Sequence, residues 1–350
     1  MLTLSSSPNP TVEGSVWFYA PNKGAPVFFA AAFLLSGSFH LYQTVRHKSW
    51  RLTTLYVICA VIFVAGFVAR EQAAFDYDNL DLLLASVCLV YAAPPLCELA
   101  NYVVLGRILY YVPYHSPIHP GRVLTTFTAV SLVVEMLNGI GVSYSTNQGL
   151  SRGARQTGAG LMKAALILQL IVVVLFVALL TVFLRRCRKA GSRNENVRQA
   201  ALTLYISSAI ITVRIIYRTV EYFDLESLLS DPGSVEADKL SPIVRYEWFF
   251  YVFESSLMLL NSVLMNWRHP TRWLPRSNKV YLSKNDGVTE VDGPGYKDGR
   301  NFLVTFLDPF DVYGLIRGRD KKNMFWEHEG ADLGVDGGRK ELGPSSENAV

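Results

Sequence analysis

The chain has 350 residues, 50% of them hydrophobic and 18% charged, with a formal net charge of +4. That is apolar for a soluble protein of this length. Its four cysteines, Cys59, Cys88, Cys97 and Cys187, have neither metal-type spacing nor the pattern of a secreted disulfide scaffold, and the small positive balance gives no reason to expect a nucleic-acid partner.

The apolar residues cluster in runs at 27–42, 53–72, 80–106, 123–145, 161–184, 199–222 and 246–267. Several reach the roughly 20 residues that a helix needs to cross a bilayer. The sequence therefore predicts an all-α membrane protein with seven transmembrane helices spanning 26–268. Residues 1–25 form a leading segment whose Asn9-Pro10-Thr11 triplet has proline in the position that glycosylation excludes. The first run starts late and lacks a basic n-region, so it reads as a span and not as a cleaved signal.

The second run ends in "AGFVARE", placing Arg70 and Glu71 at its far end. The third, "VYAAPPLCELANYVVLGRILYY", contains Pro94 and Pro95, which remove backbone donors and predict a kink or break. It also carries Glu98, further along than the membrane centre, and Arg107 at its end, a third depth of polar groups. In the connection that follows, His115 and His119 stand four apart, but Pro113, Pro117 and Pro120 surround them, so no metal site is expected.

The fourth run holds Glu135 near the membrane centre. After the fifth comes the basic connection "RRCRKAGSRNENVR" (185–198), which suits anionic lipid or a cytosolic partner. The sixth contains "VRIIYRTVEY", where Arg214, Arg218 and Glu221 share a narrow helix face. Charge at membrane depth is costly unless it is paired or lines a wet cavity, so that face should point inward. The seventh run begins with Glu247 and carries Glu254 seven residues on.

Ranked by depth, Arg70, Arg214, Arg218, Glu221 and Glu247 form one cluster near the outer surface. Glu135 and Glu254 lie deeper, with no basic residue expected at their level. The pairs Arg218 with Glu221 and Arg70 with Glu247 are open to two readings, helix-to-helix glue or the walls of a polar route.

Connections on one side hold sixteen Lys and Arg residues, among them Arg46, Arg51, Arg122, Arg185 and Arg268, against five on the other. The positive-inside rule then predicts an N-terminus outside and a C-terminus in the cytosol. The acids Asp76, Asp78 and Asp81, and Asp224, Glu226, Asp231, Glu236 and Asp238, fall on the side assigned to the exterior. Residues 269–350 turn polar and glycine-rich, as in "KNDGVTEVDGPGYKDGR", and read as a largely disordered cytosolic tail. Within it "NFLVTFLDPFDVYGLIRG" (301–318) reads as a segment lying on the membrane face, or as a partner-binding motif.

The elements "AGFVAR" (65–70), "AAPPLCELANYVVLGR" (92–107), "YRTVEY" (217–222), "YVFESSLM" (251–258) and "RHP" (268–270), in this order, resemble the helix motifs of the fungal aminocholesterol-resistance (RTA1-like) family, the lipid-translocating exporters. The resemblance covers 25–275. It implies export of sphingoid long-chain bases or related amphiphiles, including toxic lipids and drugs, across the fungal plasma membrane. Matching positions are Gly66, Arg70, Pro94, Tyr102, Gly106, Arg107, Arg218, Glu221, Glu254, His269 and Pro270, with Gln169 matching a family glutamine in the fifth helix. The fourth helix departs, since the family has an acid near Thr128 and a glutamine near Glu135.

The substrate route expected from these readings comprises Arg70, Glu98, Arg107, Glu135, Gln169, Arg214, Arg218, Glu221, Glu247 and Glu254, shaped by Gly66, Pro94, Pro95 and Gly106. Membrane lipids and an amphiphilic substrate are the expected partners. No cofactor, metal or catalytic residue is expected, and no G-x-x-x-x-G-K-[ST] loop is present to let ATP drive movement directly. The competing reading is a seven-helix receptor or sensor.

Overall fold

The computed structural model describes residues 21–317 apart from 77, 147–148, 193, 230–240, 278, 285–286, 296–301 and 309–310. Its frame is seven helices long and apolar enough to cross a membrane: α1 (Ala25–Arg46), α2 (Trp50–Ala73), α3 (Leu80–Tyr111), α4 (Pro120–Thr146), α5 (Arg152–Lys189), α6 (Glu195–Leu229) and a composite α7. The last opens with one turn at Trp248–Phe250, passes through a π-helical segment at Tyr251–Ser256, and continues as α-helix over Leu257–Trp267. The protein is a multi-pass membrane protein.

Each helix packs on the next in sequence, α7 closes the ring against α1 and α6, and α3 reaches across to α6. Because successive helices alternate in direction, the Lys- and Arg-rich connections gather at one end, here the basic end; α1 begins at the opposite end.

Two apolar clusters hold the ring. Toward the basic end, Leu105, Ile108 and Leu109 of α3 pack with Val123 of α4, Leu180 and Phe183 of α5, and Leu204 of α6. Toward the opposite end, Phe29 and Phe33 of α1 meet Phe63 and Phe67 of α2 and Val90 and Ala93 of α3. The Phe33 and Phe63 rings stack at 4.2 Å. Between helices in lipid there is no hydrophobic drive, so close van der Waals contact and hydrogen bonds do the holding. Small residues permit it: a Cβ on Gly66 would sit 2.8 Å from Val90 Cγ2, so α2 and α3 touch there only because position 66 has no side chain.

Three local features differ from the sequence expectations. Helix α3 runs through Pro94 and Pro95 as one continuous helix, so the prolines do not break it. A Cβ at Gly106 would meet nothing nearer than Pro120 O at 4.0 Å, so no close approach requires glycine there. Within the tail, Val280–Leu282 (β1) and Glu290–Asp292 (β2) form an antiparallel hairpin in the register Val280 to Asp292. Val280 and Leu282 join the apolar cluster at the basic end.

Two short helices follow, α8 (Phe302–Leu307) and α9 (Val312–Ile316). The acids expected at Asp231, Glu236 and Asp238, and the tail beyond 317, lie outside the described residues.

Candidate functional site

The buried charges form a column between the helices, and its levels are clearest from the end where α1 begins. At the first level Arg70, from the last turn of α2, meets Glu247 just before α7 at 2.8 Å, with both side chains 5% exposed. Tyr251 OH also donates to Glu247 Oε1 at 3.0 Å, and the Asn22 backbone N–H donates to Oε2 at 2.7 Å. The Arg70 guanidinium lies 4.2 Å from the Phe250 ring centroid. Glu247 is therefore fully engaged and knits the leading segment, α2 and α7 together.

Beside it Arg218 pairs with Glu221 one turn along α6, and Tyr217 OH donates to the same carboxylate at 3.1 Å. The Arg218 guanidinium stacks 3.7 Å from the centroid of Tyr91 on α3. This pair remains partly exposed, unlike the one above.

The next level corrects the expectation for Glu254. Arg214 leaves the outer cluster and donates from Nε to Glu254 Oε1 at 2.7 Å, with Glu254 wholly buried. The carboxylate that lacked an expected partner thus has a guanidinium across the α6–α7 contact. Glu254 Oε2 and the neighbouring Ser255 Oγ are buried with no hydrogen-bond partner among the described residues.

Glu98 on α3 takes neutral donors instead, Gln169 Nε2 of α5 at 2.8 Å and Tyr102 OH at 3.4 Å. No cationic group among the described residues comes within ion-pair distance of it, nor of the partly buried Glu135 on α4. Burying charge without a counter-charge costs several kcal/mol, which sets Glu98 apart from the ion-paired Glu247 and Glu254.

One turn nearer the basic end the column becomes neutral and polar. Asn101 Nδ2 donates to Ser207 Oγ at 2.8 Å, and Ser207 donates to Asn261 Oδ1 at 2.7 Å. Asn101 Oδ1 and Asn261 Nδ2 are left without partners. The placement follows from spacing: Ser207 and Arg214 on α6, and Glu254 and Asn261 on α7, are seven apart, so these two helices contribute the same two levels, two turns apart, while Glu98 lies one turn from Asn101 on α3, between those levels.

Arg107 lies apart from the column. Its Nη2 grips the carbonyls of Pro275 and Ser277 at the basic end. A second polar seam, not expected from sequence, joins α1 to α7: Ser36 Oγ meets Ser262 Oγ at 2.6 Å, Asn266 Nδ2 donates to Ser36 Oγ at 2.8 Å, and Gln43 Nε2 donates to Asn266 O at 3.0 Å. Its signal in the sequence was the recurrence of Ser36, His40 and Gln43 on one helix face and of Ser262 and Asn266 on another. Of the two loop histidines, His115 stands edge-on to Tyr114, and Gly121 N–H donates to His119 Nδ1 at 3.4 Å. No trio of His, Cys, Asp or Glu among the described residues could hold a metal ion.

Residues 56–277 match the family model described as "RTA1 like protein". The chain is 39% identical to a protein of Leptosphaeria maculans named "Lipid-translocating exporter-like protein RTA1", over 89% of this chain and 61% of that protein. It is 28% identical to a protein of the same name from Ajellomyces capsulatus, over 86% of this chain and 93% of the relative. A "Probable lipid transporter atnI" of Emericella nidulans is 22% identical over 75% of this chain and 69% of the relative. No solved structure matches.

Proposed function

The chain belongs to the RTA1-like family, and from that premise we propose that it moves amphiphilic lipids across its membrane. The substrates are sphingoid long-chain bases or related cationic amphiphiles, carried out of the fungal cell at the plasma membrane. The names of the relatives support lipid movement in general.

One observation carries the finer reading. At the middle levels of the column stand three carboxyl groups, Glu98, Glu135 and Glu254, and among the described residues only Glu254 has an ion-pair partner, Arg214. Four buried polar atoms there, Glu254 Oε2, Ser255 Oγ, Asn101 Oδ1 and Asn261 Nδ2, lack partners among the described residues. Buried polar groups are nearly always satisfied by protein, water or ligand, and in a bilayer that need is stronger. An ammonium head group supplies the missing charge and can donate to Glu254 Oε2, Ser255 Oγ and Asn101 Oδ1, while Asn261 Nδ2, itself a donor, is left for a hydroxyl of the amphiphile or a water. Its acyl chain stays in lipid beside the bundle.

By the positive-inside rule, the excess of Lys and Arg at the basic end supports reading that end as cytosolic and the start of α1 as outside. Arg70, Glu247, Arg218 and Glu221 then flank the outer end of the route, and Arg107 organises the cytosolic end without touching the substrate. Movement is downhill or coupled to protons and is not driven directly by ATP.

The test is movement of a fluorescent long-chain amine across liposomes holding the purified protein, wild type against Glu254→Gln and Glu98→Gln, each checked for folding. Protein-dependent movement that is lost in the folded variants supports the route. Absence of movement with folded wild type overturns it and favours the receptor reading.

A further inference from the structure

Beyond the bundle, the chain carries a clamped apolar strip at the basic end. Arg122, in the first turn of α4, pairs with Asp311 at 2.6 Å, and the two side chains are 4% and 3% exposed. Asp311 adopts a left-handed backbone, φ 49°. A Cβ on Gly314 would collide with the Asp311 carboxylate, so glycine leaves room for that carboxylate. Asp308 caps the next turn, accepting from Val312 N at 2.8 Å and from Tyr313 N at 3.0 Å. This local chemistry fixes α8 and α9 against the start of α4, and α8 packs on α4 itself.

What the clamp holds is apolar and, among the described residues, exposed. Leu303, Val304 and Leu307 of α8 are exposed, as are Val312, Tyr313 and Ile316 of α9, with Leu307 at 82% and Ile316 at 80%. Both sets repeat the spacing i, i+1, i+4, so each short helix presents one continuous ridge. The first turn of a membrane-spanning helix lies at the bilayer boundary, and Arg122 therefore sets the strip at that height. Basic residues follow directly in the sequence at Arg317, Arg319, Lys321 and Lys322.

We propose that residues 302–308 and 311–317 form an interfacial anchor lying in the headgroup region of an anionic leaflet, the leaflet at the basic end of the bundle. The Arg122–Asp311 pair sets its depth, Leu307 and Ile316 enter the acyl boundary, and the exposed Arg317 meets acidic headgroups. Two apolar ridges clamped at the boundary, with positive charge beside them, match this partner in both height and charge. The inference does not rest on the transport reading.

The test uses the full chain in bilayer nanodiscs containing phosphatidylserine. A nitroxide is placed at Leu307→Cys or Ile316→Cys in a Cys88→Ser background, which removes the exposed cysteine. Collision with oxygen, which concentrates in lipid, is compared with collision with a water-soluble nickel chelate. The anchor predicts that oxygen dominates at both sites, and that Asp311→Asn lowers the oxygen-to-chelate ratio severalfold. Chelate dominance in folded wild type overturns it. Low access to both probes also overturns it, since a second copy or another segment would then cover the strip. If Asp311→Asn does not fold, the two wild-type sites still decide.

Discussion

Arg214 and Glu254 come from different helices and meet at 2.7 Å with neither side chain more than 5% exposed. Breaking such a pair from one side strands a buried charge, at about 3–5 kcal/mol, whereas replacing both with apolar residues is often close to neutral. Glu254→Leu should therefore lower the unfolding temperature in detergent sharply, and Arg214→Met combined with Glu254→Leu should recover most of that loss. A stable double variant that still moves lipid would assign the pair to structure alone; a stable but inactive one would put it on the route.

Glu98 sits between neutral donors, so Glu98→Gln keeps shape and removes one negative charge. We expect normal folding by thermal unfolding. Apparent affinity for a long-chain amine should fall about 10- to 100-fold, the worth of one hydrogen bond to a charged group. Unchanged binding in a titration with the fluorescent amine would remove Glu98 from the route.

Gly66 permits a close approach of α2 to α3. Gly66→Ala should cost about 1–3 kcal/mol by overpacking against Val90, with Val90→Ala restoring much of it. Thermal unfolding of the two single variants and the double checks this, and additive effects would count against the contact.

Arg107 holds the strand-hairpin region through two carbonyls, a task suited to the guanidinium fork. Arg107→Ala should speed tryptic cleavage at the exposed Lys284 severalfold, and Arg107→Lys should fall between. Cleavage at the wild-type rate would show that Arg107 does not secure the hairpin.

Much of the frame was legible because lipid imposes a simple rule: seven apolar runs gave seven helices. The Arg70–Glu247 pair was legible for a related reason, both residues lying where a helix meets the same surface. Arg214 was harder. Assigning depth by rise per residue treats helices as straight and aligned, and it ignores the reach of an arginine side chain, so Arg214 was grouped with Arg218 when it turns to Glu254. The α1–α7 seam uses uncharged Ser, Gln and Asn, which hydropathy scarcely registers. The hairpin at 280–292 was passed over because its surroundings are glycine-rich, although "VYL" and "EVD" flanking a turn with Gly287 are themselves a strand-turn-strand signal.

The π-helical segment at Tyr251–Ser256 amounts to one surplus residue lodged in an α-helical path. Sliding that surplus along by a position leaves both ends of the helix where they were, yet swings each residue it passes by about 100°. Glu254 lies within the segment. The surplus residue thus decides which way the Glu254 carboxylate faces, and here it is turned to Arg214 while α7 stays packed on α1 and α6, much as an offset in a shaft sets the direction of its crank.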